Sequence, residues 1–333
     1  SFPKARAKAL HEIFPALDNA FLSSSNNILG IEYCRALKYF GSSITPMTIP
    51  RKDNLYHDEE LAGTGKLSSA TAIRKVLMSA RSFCDSNTSM KQPFVSNEQI
   101  SGCTETNIHA GQFACHNLEI TNVFNTLFTH MPENSLNILK ENWGICTPIS
   151  SRDFSLLLKY KLLLETRKSL MQYLDITSDL EDRIYKILNL YKDFDSFCDL
   201  LKTKELTYTR ISRSLLHILL DIKKEDYELY QNGYPNKEYN LDKVIGSKIN
   251  KGYGQYARIL GFRKDASALL HEIKKYSSIP LISKVSDSVK ELDGAALSIL
   301  KKDIQSAHIY ESVVADKYGY EFRNEFQRQL VIV

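Results

Sequence analysis

The apolar residues in the second half of the chain recur with the period of an α-helix, about 3.6 residues. Five segments show this pattern: Phe154–Leu164, Leu180–Leu190, Phe194–Leu201, Thr209–Ile222 and Ala266–Tyr276. Only 14 glycines and 9 prolines occur among the 333 residues, so little in the composition interrupts a helix. We therefore predict a mainly α-helical domain over residues 146–333.

The first part of the chain has a mixed pattern. Strong helix formers fill Lys4–Ile13, and an apolar helical stripe occupies Ile28–Phe40. The run Ser43–Ile49 is β-prone, and a further helix is predicted over Ser69–Phe83. We interpret residues 1–84 as part of an α/β domain, because they contain too few strands to form a sheet alone.

Two stretches lack such periodicity. Residues 85–145 include a segment rich in Ser, Asn, Thr and Gly, and we predict an irregular linker or lid there. Residues 224–256 are polar and rich in Tyr and Lys, which indicates a loop or an insertion. Cys103 and Cys115 lie near two histidines, but their spacing is poor for structural zinc, so we predict no metal site.

The composition limits the class of protein. With 43% hydrophobic and 25% charged residues, the chain is globular rather than disordered. Its net charge of +4 permits a polyanionic partner without requiring one. No apolar run approaches the roughly 20 residues of a membrane helix, and no secretory signal is visible. We therefore predict a cytoplasmic protein that does not contact a membrane.

A hydroxyl-rich turn opens directly into a short basic helix at residues 67–75. A helix start offers a phosphate free N–H groups and the positive end of the helix dipole. Thr71 and Arg74 are three residues apart and share a helix face, with Ser69 just before them. This pattern indicates a nucleoside triphosphate site, and the alternative is an ordinary N-cap at Ser68 or Ser69.

Two further positions are candidates for contacts with a nucleotide. Asn26 and Asn27 precede the apolar helix, where an amide can bind a base or ribose or can simply cap the helix. Arg51 follows the β-prone run, and ligands bind outside the carboxyl ends of strands in open α/β sheets. The alternative for Arg51 is a solvated charge in a loop.

A second basic stretch, residues 202–213, precedes an apolar helical run. Arg210 and Arg213 lie three residues apart on one helix face, where they suit a ribose-phosphate backbone, and Tyr208 is predicted free to stack on a base. The alternative is a polar helix start followed by its buried half, and His217 within the apolar run is predicted to be a hydrogen-bonded core histidine. The RNA-binding candidates are Lys202, Lys204, Tyr208, Arg210 and Arg213.

Taken together, these segments resemble the bacterial tRNA(Met) cytidine acetate ligase family. The matching segments are Ser1–Leu10, Asn26–Tyr33, Ala36–Leu37, Thr48–Arg51, Tyr56–Asp58, Ser69–Arg74, Lys202–Lys204, Tyr208–Arg210, Leu216–Leu220, Arg258–Phe262 and Pro280–Lys284. The resemblance keeps the segment order and spans most of the chain, but it is weak at 85–145 and 224–256. Order and spacing together are more specific than any single motif.

The resemblance implies that residues 1–84 are the C-terminal part of a Rossmann-like nucleotidyltransferase domain, followed by a helical tRNA-binding domain. It implies an enzyme that uses ATP, with Mg²⁺, to activate acetate as acetyl-adenylate. The acetyl group then passes to the exocyclic amine of the wobble cytidine in elongator tRNA(Met), which gives N4-acetylcytidine. The nucleotide-binding residues that it implies are Asn26 or Asn27, Arg51, Ser69, Thr71 and Arg74.

One motif of the family has no counterpart in this chain. The family begins with a strand and a His-x-Gly-His motif, and the sequence contains no such motif, so we assign no catalytic residue. We expect the N-terminal part of the catalytic domain to be missing from this chain or to lie on another polypeptide. The chain alone is then expected to be weak or inactive. Two alternatives stay open: a non-catalytic RNA-binding helical protein with a nucleotidyltransferase remnant, and an adenylyl- or cytidylyltransferase with a small-molecule acceptor.

Overall fold

A computed structural model describes most of the chain as two compact units, Ser1–Ser69 and Ala70–Val333. The described residues are 2–16, 25–49, 60–63, 68–85, 120–232, 256–277, 279–292, 294–319 and 321–333. Among the candidate site residues, Arg51 lies outside these ranges, as do Cys103 and Cys115.

The first unit contains helices α1 (Phe2–Ile13) and α2 (Ser25–Tyr39), both of which the sequence predicts. Gly41 ends α2 with a φ of +56°, a left-handed conformation that glycine adopts at little cost. The next N–H, that of Ser42, donates to the Leu37 carbonyl at 2.9 Å. The glycine that follows the apolar helical stripe therefore ends the helix, as glycines at this position commonly do.

The predicted strand Ser43–Ile49 is wrong. Residues 42–49 have no regular secondary structure and pair with none of the described strands. Ile44, Met47 and Ile49 are 68%, 92% and 93% exposed, so these side chains are not packed on a sheet face. A β-prone run forms a strand only where a partner strand accepts its hydrogen bonds, and Pro46 removes one of the donors.

The second unit begins with three helices: α3 (Ala70–Asp85), α4 over residues 120–127, and α5 (Glu133–Asn142). The edge of the Phe124 ring contacts buried Trp143 at a centroid distance of 5.3 Å. Part of the stretch predicted to be irregular, 85–145, is therefore helical, while residues 86–119 lie outside the described part. The division into 1–84, 85–145 and 146–333 stays a prediction.

A bundle of five helices follows, introduced by a 3-10 turn at Ser151–Phe154. The helices are α6 (Ser155–Leu164), α7 (Arg167–Leu170), α8 (Ser178–Ile187), α9 (Phe194–Leu201) and α10 (Tyr208–Leu219). Their apolar faces form one core, whose largest fully buried side chains include Tyr173, Phe194, Phe197, Leu158, Leu162 and Ile184. The helical periodicity of this region is confirmed, because each apolar face packs against another helix.

The remaining elements form the C-terminal part of the second unit. The helices are α11 (Lys224–Asn232), α12 (Ser267–Tyr276), α13 (Val285–Glu291) and α14 (Gly294–Tyr318), and the strands are β1 (Ala257–Arg258), β2 (Gly261–Phe262), β3 (Leu281–Ile282) and β4 (Val331–Ile332). Strand β1 pairs in parallel with β3, and β2 pairs in parallel with β4. Helix α11 lies where the sequence indicates a loop or an insertion. The sequence patterns do not predict helix α14.

The described residues are mostly helical, which confirms the predominantly helical character predicted for the second half of the chain. Within the described part of the first unit there are two helices and no strand. The Rossmann-like remnant over residues 1–84 therefore stays a prediction.

An ion-pair network, made by the loop after α10, ties the bundle to the long helix α14. Asp221 Oδ1 accepts from Lys161 Nζ of α6 at 3.2 Å and from the Tyr173 hydroxyl at 3.1 Å. On the other side, Lys302 Nζ of α14 lies 3.3 Å from Asp221 Oδ2 and 3.5 Å from Asp226 Oδ2. This network fixes the bundle, α11 and α14 in one arrangement.

Candidate functional site

The first residues of α3 carry the predicted phosphate-binding pattern. Ser69, directly before the helix, is buried, Thr71 is half-buried and Arg74 is exposed. Ser68 Oγ accepts a hydrogen bond from the Ala62 N–H at 2.9 Å, so this hydroxyl holds the preceding loop. The first turn of α3 contains no acidic residue. A phosphate at this helix start would therefore meet the helix dipole and a guanidinium without a repelling carboxylate in that turn.

Arg74 and Thr71 occupy one face of α3, since they are three residues apart. Arg74 forms no ion pair with any residue that the structure describes. No carboxylate among the described residues therefore competes with a phosphate for this guanidinium.

Asn26 and Asn27 are the second and third residues of α2, in the first unit. Asn26 is exposed and Asn27 is half-buried. Both lie in the first helical turn, so capping of the helix and contact with a nucleotide stay the two alternatives for them. The first turn of α2 contains no acidic residue, so no carboxylate in that turn would repel an anionic nucleotide.

The second basic stretch forms the loop between α9 and α10 and the first turns of α10. Thr203 Oγ1 closes the loop by accepting from the Leu206 N–H at 3.0 Å, and Thr207 caps α10. Lys202 and Lys204 are exposed, and neither ammonium forms an ion pair with the described residues. The loop therefore presents two positive charges beside the start of α10.

Tyr208 is half-buried and hydrogen-bonded, so the expectation of a free side chain is wrong. Its hydroxyl donates to Asp195 Oδ1 at 2.9 Å, and its ring packs partly against the bundle core. Burial and the neighbouring Asp195 raise the pKa of this phenol, which therefore stays a neutral donor. No local pattern indicates this contact, because Asp195 lies on a different helix.

Arg210 and Arg213 occupy the solvent face of α10, whose opposite face buries Ile211 and Leu215. The Arg210 guanidinium has no ion-pair partner among the described residues, whereas Arg213 Nε donates to Asp175 Oδ2 at 2.7 Å. The structure thus brings both arginines to one face, as predicted, and adds a carboxylate that sequence reasoning missed.

His217 continues the same side of α10 and is hydrogen-bonded, as predicted. Its Nδ1 lies 3.1 Å from the Leu174 carbonyl oxygen and 3.5 Å from Asp175 Oδ2. Because a carbonyl oxygen only accepts, Nδ1 carries the proton. His217 therefore holds the turn before α8.

Within the part of the chain that the structure describes, no group of three or more His, Cys, Asp or Glu side chains is placed to hold a metal ion. Among the same residues, no helix is both long and apolar enough to cross a membrane.

The comparisons with known proteins agree with one another on the family. The model of the HIGH Nucleotidyl Transferase family matches residues 1–325. A tRNA(Met) cytidine acetate ligase of Acetivibrio thermocellus is 28% identical over 336 residues, covering 100% of this chain and 67% of the relative. The Clostridium acetobutylicum protein of the same name is 31% identical over 296 residues, covering 86% of this chain and 57% of the relative.

Solved structures agree on the fold. Thermotoga maritima TmcAL in its apo form has a TM-score of 0.67 at 21% identity, over 100% of this chain and 67% of that chain. The same protein bound with alpha-thio ATP has a TM-score of 0.68 at 20% identity, over 100% of this chain and 66% of that chain. The chain thus spans about two thirds of these structures' length, and 57% to 67% of the length of the two ligases above.

Proposed function

This chain belongs to the HIGH nucleotidyl transferase family, and we propose that the protein containing it is an ATP-dependent tRNA(Met) cytidine acetate ligase. The observation that carries this proposal is the match to relatives of that name along the whole chain. The likeness of its fold to TmcAL supports the same assignment. The proposed substrates are ATP, acetate and elongator tRNA(Met).

The proposed reaction has two steps. An acetate oxygen attacks the α-phosphorus of ATP, and pyrophosphate leaves to give acetyl-adenylate. The wobble cytidine amine then attacks the acetyl carbonyl, loses a proton and releases AMP. Adenylation is needed because an oxide is a poor leaving group from acetate, whereas AMP is a good one. The protein has to hold the reactants in line and stabilise developing charge.

We assign binding of the ATP phosphates to the start of α3. Thr71 and Arg74 on one face of α3 would meet phosphate oxygens, with Ser69 directly before them. The alpha-thio ATP complex of the structural neighbour supports a nucleotide site in this fold. Asn26 or Asn27 is the proposed contact to the nucleoside, and Arg51, which lies outside the described residues, is proposed as a further contact.

Mg²⁺ is proposed to accompany the triphosphate. The described residues contain no carboxylate or histidine cluster for it. Triphosphate-bound Mg²⁺ usually takes its ligands from phosphates, water and one or two carboxylates. We therefore assign no residue of this chain to the metal and derive no step through it.

We assign RNA binding to the exposed basic surface at the start of α10, which Lys202, Lys204, Arg210 and Arg213 form. Exposed cations without carboxylate partners release counterions when they meet phosphates, which is the main source of affinity for nucleic acid. Lys202, Lys204 and Arg210 meet that condition among the described residues. Tyr208 contributes by holding α10 to α9 rather than by stacking.

The direct test is acetylation of a tRNA(Met) transcript by the complete protein with ATP and radiolabelled acetate. We expect N4-acetylcytidine at the wobble position and one AMP released per acetyl group. Binding of tRNA without acetylation would instead support the non-catalytic RNA-binding protein. Adenylyl or cytidylyl transfer to a small molecule, with no tRNA binding, would support the third alternative.

A pair of matched variants separates the two proposed surfaces. Arg74→Ala is expected to weaken ATP binding about tenfold while leaving tRNA affinity unchanged, because it removes one charge-assisted phosphate contact. Arg210→Ala is expected to weaken tRNA binding and to leave ATP affinity unchanged. Calorimetry with each ligand measures both effects, and simultaneous loss of both affinities in either variant would contradict the division into two surfaces.

A further inference from the structure

Asp175, in the turn between α7 and α8, has a left-handed backbone with a φ of +63°. Residues other than glycine seldom adopt this conformation, and it persists where the surroundings hold it in place. Such residues occur frequently at binding sites, where the strain positions a functional group. The contacts around Asp175 therefore indicate what the turn is built to hold.

Three side chains from α10 and α11 form hydrogen bonds with the backbone carbonyl groups of this turn. The contacts are His217 Nδ1 to the Leu174 oxygen at 3.1 Å, Ser214 Oγ to the Asp175 oxygen at 3.4 Å, and Lys224 Nζ to the Ile176 oxygen at 3.1 Å. Ile176 is itself buried in the bundle core. The backbone before and at Asp175 is thus fixed to α10 and the backbone after it to α11, which sets the position of its carboxylate.

The carboxylate faces one guanidinium. Asp175 Oδ2 accepts from Arg213 Nε at 2.7 Å, although the Arg213 side chain is 59% exposed. The Nη groups of Arg213 form no hydrogen bond with the described residues, so four of its five N–H donors remain for a ligand. A long exposed arginine normally samples many rotamers, and a bond at Nε restricts them while leaving the outer edge open.

We propose that Asp175 is a positioning residue for RNA binding, whose carboxylate aims the Nη groups of Arg213 at a phosphate of the tRNA. This inference rests on the RNA surface proposed above and adds to it an acidic residue from outside the basic stretch. On this surface the Arg213 guanidinium is oriented by Asp175. The Arg210 guanidinium, three residues earlier on the same face, has no such partner among the described residues.

This role predicts an effect opposite to that of simple electrostatics. If Asp175 were only a negative charge near the surface, its removal would reduce repulsion and tighten the binding of a polyanion. If it positions Arg213, its removal loosens binding, because the guanidinium must then be ordered by the RNA itself. The sign of the change therefore decides between the two roles.

The test uses Asp175→Gly in the complete protein, because glycine accepts the left-handed backbone without strain while removing the carboxylate. We expect the Kd for a tRNA(Met) transcript to rise about fivefold, because the guanidinium is then ordered only on binding. Asp175→Asn keeps an acceptor for Nε and tolerates positive φ, so most of the affinity should return. In an Arg213→Ala background, Asp175→Gly should cause no further loss.

Asp179→Asn is the matched control, since Asp179 is an exposed carboxylate at the start of α8 with no ion pair among the described residues. It should leave Kd unchanged or slightly lower. Tighter binding by Asp175→Gly, or an equal loss in the Arg213→Ala background, overturns the positioning role. If Lys202→Ala, Lys204→Ala and Arg210→Ala all leave tRNA binding unchanged, the RNA surface itself is wrong, which is a separate failure.

Discussion

At the scale of single residues, Tyr208 shows how one hydrogen bond decides what a surface side chain does. Its hydroxyl bonds to Asp195, which also accepts from Ser151 Oγ at 2.5 Å and Arg152 Nε at 3.3 Å. Asp195 therefore gathers three donors from two other parts of the bundle. Tyr208 belongs to this cluster, which holds its hydroxyl in place.

We expect Tyr208→Phe to lower the free energy of unfolding by about 2 kcal/mol, since it removes one hydrogen bond to a charged acceptor. Binding of tRNA should stay within about twofold of the parent value, because the ring keeps its place. Tyr160→Phe is the control: Tyr160 is 63% exposed, and this substitution should leave the free energy of unfolding unchanged. Loss of tRNA binding by Tyr208→Phe at unchanged stability would restore the stacking role.

At the scale of elements, the ends of the bundle helices are fixed by short polar side chains. Asp193 caps α9 by accepting from the Ser196 N–H at 2.9 Å, and Ser196 Oγ in return accepts from the Asp193 N–H at 3.3 Å. Thr177 and Thr207 likewise stand directly before α8 and α10 and cap these helices with their side chains. These local signals explain why the start of α9 could be predicted to the residue.

The α9 cap predicts an acid-dependent loss of stability. The Ser196 backbone N–H lowers the pKa of Asp193 below its usual range, against the opposing effect of burial. Because the folded-state pKa is the lower one, this stabilisation is complete above the unfolded-state pKa, about 3.9, and is lost as pH falls through the folded-state pKa. Asp193→Ala should cost about 1 kcal/mol at neutral pH.

Urea unfolding of Asp193→Ala and Asp193→Asn at several pH values measures both effects. Asparagine keeps an acceptor for the Ser196 N–H, so Asp193→Asn should lose less stability at neutral pH than Asp193→Ala. Both variants should approach the parent protein in acid, where its carboxylate is protonated. A constant difference at all pH values would rule out the charge of Asp193 as the cause.

At the scale of the whole molecule, the second unit is held together by contacts between residues far apart in the chain. Burial would raise the pKa of Asp221, but hydrogen bonds and charge from Lys161 and Lys302 lower it overall. Asp221 also has a left-handed φ of +55°, so its carboxylate is placed by a turn that the surrounding contacts hold. The network thus connects α6 with α14 across the bundle.

Lys302→Ala should lower the free energy of unfolding by about 2 kcal/mol, because it leaves Asp221 and Asp226 without one of their cations. Lys301→Ala is the control, since Lys301 is exposed and has no ion pair among the described residues, and it should change stability by less than about 0.5 kcal/mol. Equal effects of the two substitutions in urea unfolding would show that the network does not stabilise this arrangement.

The sequence by itself determined those features that depend on neighbours along the chain. The bounds of α9, the end of α2 at Gly41 and the shared face of Arg210 and Arg213 all follow from spacing within a few residues. Helical periodicity and capping are local interactions, so they are visible without the fold.

Only the tertiary structure decided which charges meet. Asp175 and Arg213 are 38 positions apart, and Asp195 and Tyr208 are 13 apart on different helices, so no local pattern relates either pair. The β-prone run Ser43–Ile49 has no strand partner among the described residues, which propensity cannot reveal. Contacts between distant segments depend on how the helices pack. That packing brings Asp175 to Arg213 rather than to Arg210, and Asp195 to Tyr208.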